Sequence, residues 1–307
     1  MSLSSIYKKS LRAAARNVLV INRWVIGRLP YQVFRLLAPL FNGIARLFIK
    51  RKKHIILDGL RAAFGHEKAE QEINFIVKNC FNSIGSSMVE LMYLIDHPSR
   101  IVEKVTIEGK DNLDGVLKKD QGAILLSAHF GNFPLMFLRM ALGGYKTNYI
   151  MRRMRDKHFE RYVYDSTDEN GIRTIYSLPY RQCVRLSLKR LHDNEILFIL
   201  LDQNYGEKGG VFVDFFGRRA ATATGPVILS YRSKAPILPV FIVHNGIGRY
   251  KIIIDPPVKL EAAQDEESGV MSNTAQLTKI IEGYIRRYPH EWMGWMHRRW
   301  KTEPAVL

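Results

Sequence analysis

His129 is the residue of this chain best placed to do chemistry. It follows the apolar run AILLS at 123–127 and precedes a Gly131–Asn132 turn and a helical pattern from 134. The carboxyl end of a buried strand is where α/β proteins commonly carry a general base. Gly131 allows backbone to approach a ligand, Asn132 is a candidate helix N-cap, and Pro134 is tolerated in a helix's first turn. A helix starting here aims free N–H groups at the space beside His129, which suits an anion or a developing oxyanion. Gly131 and Asn132 are therefore the candidate donors.

A histidine base needs a group that orients its ring. Asp202 ends the apolar run ILFILLD (196–202) and faces His129 if both strands open onto one cleft. Glu90, between Met88 and Met92 on a helical pattern, is a weaker candidate. Spacing alone also fits a structural histidine and a strand-end aspartate.

Arg218 and Arg219 follow the run VFVDFFG and precede Thr222, Thr224, Gly225 and Pro226, which reads as a helix entry. Two guanidiniums near a helix N-terminus suit a phosphate, and Arg152 and Arg153, after the run TNYIM (147–151), could join them. Ordinary capping and surface charge explain the same residues. GEKGG (206–210) lacks phosphate-loop spacing and reads as a turn near the cleft. Near the C-terminus Trp292, Trp295, His297, Arg298, Arg299 and Trp300 suit either lipid headgroups or packing on the core. Cys80 and Cys183 have no metal-ligand spacing, so the expectation is no metal, no disulfide framework and two small core residues in a reducing compartment.

The elements that must position these groups follow from periodicity. Residues 67–95 read as one long helix that Pro98 ends. Strands are expected at 104–108, 123–127, 147–151, 196–201, 211–215, 237–243 and 251–255, with helices near 134–142, 157–169, 181–193, 226–234 and 271–287. The acidic stretch 261–269 reads as a solvated loop. Strands alternating with helices define an α/β class, with a central mixed, mostly parallel sheet flanked by helices. The continuous apolar runs at 123–127 and 196–201 read as central strands.

Charge marks off the N-terminus. The chain carries 46 Lys and Arg against 29 Asp and Glu, a net +17. Twelve of the cations lie between Lys8 and Lys53, with no acid before Asp58, among many Leu, Ile, Val and Phe residues. That mixture favours an anionic membrane surface over nucleic acid, for which no motif is present. Residues 29–49 are long enough to suggest a membrane span, but Arg35, Asn42 and Arg46 interrupt them. An amphipathic helix lying in the interface fits better, with Phe34, Leu37, Phe41, Ile44 and Phe48 opposite the polar stripe. A core helix with a solvated stripe has the same pattern. No signal-peptide cleavage site is evident. The expected organisation is a membrane-associating helical segment at 1–57 and an α/β domain at 58–307.

Four blocks carry a resemblance: RKKHIILDGLRAAFG (51–65), SAHFGNF (127–133), LDQNYGEKGGVFVDFFGRRAATATGP (201–226) and WMGWMHRRWK (292–301). In type and order they resemble the late acyltransferases of lipid A biosynthesis, the lauroyl/myristoyl type within the lysophospholipid acyltransferase superfamily. The resemblance implies transfer of a fatty acyl group from an acyl carrier protein or coenzyme A thioester to a lipid hydroxyl. His129 would be the base, with no metal or other cofactor. It also implies a peripheral or monotopic place on the cytoplasmic face of a bacterial inner membrane. Two departures stand out. The family motif places Asp or Glu after the histidine and four further residues, where this chain has Pro134. The family often has an arginine shortly before the glycine matching Gly171, where this chain reads Thr167–Asp168–Glu169–Asn170. Pro134 cannot orient an imidazole, so either Asp202 takes over or the chain is a non-catalytic lipid- or thioester-binding homologue.

Overall fold

The computed structural model describes residues 17, 20–154, 156–206 and 210–302. Lys8, Lys9, Arg12 and Arg16 of the basic segment, and most of the GEKGG turn, lie outside the described residues. After a helical stretch at 20–27, the chain forms α1 (Tyr31–Lys50), α2 (Lys53–Phe64), α3 (Glu70–Leu94) and α4 (Pro98–Lys104). There follow β1 (Val105–Glu108), α5 (Lys110–Leu117), β2 (Ala123–Ser127), α6 (Phe133–Leu142), β3 (Thr147–Met151), α7 (Lys157–Asp168) and β4 (Ile172–Tyr176). The remainder is α8 (Tyr180–His192), β5 (Ile196–Leu200), β6 (Gly210–Phe215), β7 (Arg218–Ala223), α9 (Gly225–Ser233), β8 (Ile237–His244), β9 (Tyr250–Ile254) and α10 (Glu266–Arg287).

Seven strands form one mixed sheet in the order β1-β9-β8-β2-β5-β3-β4, and only the β8–β9 pairing is antiparallel. β2 is buried at every residue because helices cover both faces of the central strands. Its parallel neighbours are β5 and β8, so all three carboxyl ends reach one edge of the sheet. Two apolar layers sandwich the sheet, one built around Ile124, Leu126, Phe241 and Ile281, the other around Leu125, Phe137, Phe198 and Leu238. Alternate residues of β2 feed opposite layers, as the pleat requires.

Three expectations need correction. Residues 218–223 form β7, the return strand of a hairpin with β6, so the helix entry is confined to Thr224, Gly225 and Pro226, where α9 starts. The small Ala220, Ala221 and buried Thr222 hide the apolar signal of that strand. The acidic stretch 261–269 is half helix, because Asp265 caps α10 by accepting from the Ser268 N–H at 2.8 Å, which places Glu266 and Glu267 at the favourable N-terminus. The third concerns α1. Phe34 stacks on Tyr93 of α3 at 4.1 Å, and Phe41 packs on the same core. Asn42, expected on the outer polar stripe, faces α3 and donates to Ser86 Oγ at 3.0 Å. Gly85 leaves the room that brings this side of α1 against α3, since a Cβ there would collide with Asn42. The exposed apolar side is instead Val33, Leu36, Leu40, Ile44 and Leu47. α2 runs across residue 57 and buries Ile56, Leu60 and Phe64 in the core. No helix among the described residues is long and apolar enough to cross a membrane. Cys80 and Cys183 are free and buried.

Candidate active site

Register places the central pair. Ser127 of β2 lies beside Leu200 of β5, and Leu201 N–H donates to Ser127 O at 3.0 Å. Both chains leave the sheet together, so His129 and Asp202 emerge side by side. His129 Nδ1 lies 2.8 Å from Asp202 Oδ1. The carboxylate is fully buried, whereas the imidazole keeps 26 % of its surface exposed. Asp202 Oδ2 accepts the Trp292 indole N–H at 2.7 Å. Both oxygens are thus engaged, and the lone pair of His129 is directed to Nε2.

Burial pulls the His129 pKa down, but the charge and hydrogen bond of Asp202 outweigh it and hold the pKa above the ordinary histidine value. Burial likewise favours protonated Asp202, and here His129 and the Trp292 indole outweigh it and hold the carboxyl below its ordinary range. The carboxylate stays ionised while it orients the imidazole.

The C-terminal segment holds this pair in place. Residues 291–293 run antiparallel beside 129–131, with Met293 N–H donating to His129 O and Gly131 N–H to Glu291 O, each at 2.8 Å. Gly131 has φ +50°, and a Cβ there would run into the Ile242 carbonyl of β8, so no other residue fits. Its N–H is therefore spent on Glu291, which corrects its assignment as an oxyanion donor. Asn132 occupies the N-cap position of α6, but its side chain does not cap the helix. It is buried and donates to Ser87 O at 3.0 Å. The backbone N–H groups of Asn132 and Phe133 have no protein acceptor among the described residues. Pro134 stands in the first turn of α6, as expected.

Gln203 was not singled out by sequence reasoning. Its exposed side-chain nitrogen lies 3.2 Å from His129 Nε2 and 3.4 Å from Nδ1. Its one sequence signal is its place directly after Asp202. Trp292 and Trp295 are each 1 % exposed, so the C-terminal block is core and not a headgroup belt at these positions. Glu90 does not reach His129; it accepts the Tyr250 hydroxyl at 2.5 Å, and burial raises its pKa.

The arginines separate into two places. Arg153 pairs with Glu160 at 3.0 Å and lies over the Tyr176 ring, with Arg152 beside it on the exposed loop after β3. Arg218 lies over Trp300 and lines a cavity whose walls include neither Arg152 nor Arg153. Arg219 is exposed on β7 opposite Asp214. Of the four arginines, Arg218 is the one that lines this cavity.

A histidine–carboxylate pair at the carboxyl edge of a mixed α/β sheet, open at Nε2, is an arrangement suited to activating a hydroxyl group. Residues 6–302 match the family model for the bacterial lipid A biosynthesis acyltransferases, and the chain belongs to that family. It is an acyltransferase acting on a lipid acceptor. A lipid A biosynthesis palmitoleoyltransferase of Escherichia coli K12 is 29% identical over 92% of this chain and 89% of its own length. The lauroyltransferase of the same organism is 27% identical over the same shares. A phosphatidylinositol mannoside acyltransferase of Mycolicibacterium smegmatis is 25% identical over 64% of this chain and 63% of its own.

Proposed function

We propose that the protein moves a fatty acyl group from a thioester, of acyl carrier protein or coenzyme A, to a hydroxyl of a lipid A precursor or similar glycolipid. His129 is the general base and Asp202 its orienting acid. The observation that carries this reading is the 2.8 Å contact between His129 Nδ1 and Asp202 Oδ1. It supplies, from just past the end of β5, the carboxylate that the family motif places where this chain has Pro134.

In this mechanism His129 Nε2 takes the acceptor's hydroxyl proton as the oxygen attacks the thioester carbonyl. The tetrahedral oxyanion is held by the Gln203 amide and the N–H groups of Asn132 and Phe133. Collapse breaks the carbon–sulfur bond, and the imidazolium returns the proton to the leaving thiolate. Asp202 stays ionised throughout and stabilises the imidazolium. The test is transfer from long-chain acyl carrier protein to a lipid acceptor, read by mass spectrometry; turnover in His129→Ala equal to wild type removes the reading.

The working position is the cytoplasmic face of a bacterial inner membrane, bound peripherally through α1. Support comes from the exposed Val33, Leu36, Leu40, Ile44 and Leu47, flanked by the exposed Lys50, Arg51 and Lys52. Leu36→Glu with Leu40→Glu should release the protein from anionic vesicles. Complete release of the wild type by high salt alone would exclude an inserted apolar face.

A further inference from the structure

The cavity beside α2 contains a cation that the reaction as described does not use. Arg299 is 2 % exposed. One Nη donates to Ala221 O at 2.6 Å and the other to Thr222 Oγ1 at 2.5 Å, while its buried Nε has no partner among the described residues. No carboxylate among the described residues forms an ion pair with it; the charge of Asp202 acts on it from farther off, and the Phe215 ring lies 5.1 Å from Cζ. Burying a guanidinium whose direct partners are a carbonyl and a hydroxyl is costly, and an incoming anion would offset that cost.

The cavity around it is built for such an anion. Its volume is about 320 Å³, within the range of small-ligand sites. Arg218, Arg298 and Lys301 stand on its rim, exposed and outside any ion pair among the described residues. Trp292, Trp295 and Trp300 form its apolar walls, and Asp58 is the one acidic residue in its lining. With Arg299 the cations outnumber that carboxylate four to one. Burial, and then repulsion from His129, hold the His297 pKa below the ordinary histidine value.

The cavity also adjoins the reacting groups. Trp292 lines it with one part of its ring and gives its indole N–H to Asp202, the partner of His129. We infer that this cavity is a phosphate-binding subsite, in which Arg218 and Arg299 hold a phosphate ester of one co-substrate while its reacting end lies at His129. Paired guanidiniums suit the oxygens of a phosphate. Two co-substrates carry such a group: the phosphopantetheine arm of the donor and a phosphorylated sugar headgroup of the acceptor. Which one binds rests on the acyl-transfer reading; the site itself does not.

Three of the four tryptophans line the cavity, so Trp24→Phe makes tryptophan fluorescence a reporter of it. In that protein, inorganic phosphate should change the emission saturably at millimolar concentration. Arg218→Ala should weaken binding about tenfold, the usual scale for one charged hydrogen bond. Arg299→Lys should weaken it as much, and Arg218, being exposed, keeps the test valid if the Arg299 variant does not fold. His129→Ala should bind phosphate unchanged while losing transfer. Coenzyme A competing where pantetheine does not assigns the site to the donor. A hexose 1-phosphate competing where the free hexose does not assigns it to the acceptor, and either result supports the site. No saturable change with any phosphate compound, or equal affinity in Arg218→Ala, overturns it. Binding without turnover would remove the acyl-transfer reading alone, and turnover without binding this subsite alone.

Discussion

Two histidine–carboxylate pairs stand at the ends of adjacent parallel strands, and they are built for different ends. His129, past β2, pairs with Asp202, while His244, ending β8, has Nδ1 2.9 Å from both oxygens of Glu291. In both, burial lowers the histidine pKa and the acid more than restores it. The surroundings differ. Glu291 is also bonded by Ser83 Oγ at 2.8 Å and by the His244 backbone N–H at 3.2 Å, and His244 Nε2 is buried without a partner among the described residues. His244 therefore cannot hand a proton to a bound molecule; the pair staples the 291–293 segment to α3 and β8. Among the described residues, His129 Nε2 meets only the exposed Gln203 amide, which an incoming hydroxyl can displace. A histidine–carboxylate contact is thus not itself an active site, and access to the second ring nitrogen makes the difference.

Removing the groups that distinguish the pairs should separate their roles. His129→Ala should lower turnover by roughly 10³- to 10⁴-fold with little change in thermal unfolding, the upper range for general-base catalysis. Asp202→Asn should come within about tenfold of that loss, as neutralising the orienting acid does in a serine-protease triad. Gln203→Ala should cost about 10²-fold in kcat, as for one oxyanion donor, and little in KM. Equal turnover in that variant would leave the oxyanion to the backbone of α6.

The second pair should respond in stability. Glu291→Gln leaves His244 and Ser83 with a weakened acceptor and should cost about 2 kcal/mol in chemical denaturation. Because the His244 pKa is raised, its contribution is full below the unfolded value and is lost as pH rises through the folded one. Because the Glu291 pKa is lowered, its contribution is full above the unfolded value and is lost as pH falls through the folded one. The pair thus supports a window between those two folded values, which Glu291→Gln should remove.

The smallest effect is a displacement of the pH–rate profile. The base must be neutral, so activity should fall as pH drops through the raised His129 value, placing the acid limb above the ordinary histidine pKa. In Asp202→Asn burial acts alone, and residual activity should show that limb shifted down. An unmoved limb would mean that Asp202 does not set the protonation of the base.

Much of this was legible in the chain because the central strands are dense apolar runs. AILLS and TNYIM coincide with β2 and β3 end to end. β4 and β7 were not read, since Ile172–Tyr176 mixes Arg and Thr into an edge strand and β7 buries mainly alanines. Asp202 was nameable as the partner of His129 because parallel strands end together. Trp292, which fixes the other oxygen of Asp202, carried no such signal: ninety positions separate them, and the indole reaches Asp202 through the short antiparallel pairing of Trp292 with Phe130.

By itself the sequence determined the α/β class, the family blocks, the base at the end of a central strand and the absence of an acid at Pro134. Periodicity and local chemistry are properties of neighbouring residues, and these features need nothing more. Tertiary structure alone decided that Glu291 takes the Gly131 N–H, which side of α1 stays exposed, that Gln203 lies against the imidazole and that Arg299 is buried with no ion-pair partner among the described residues. Each is a choice between partners distant in the chain, made by strand register and by the packing of α1 and the C-terminal segment on the sheet.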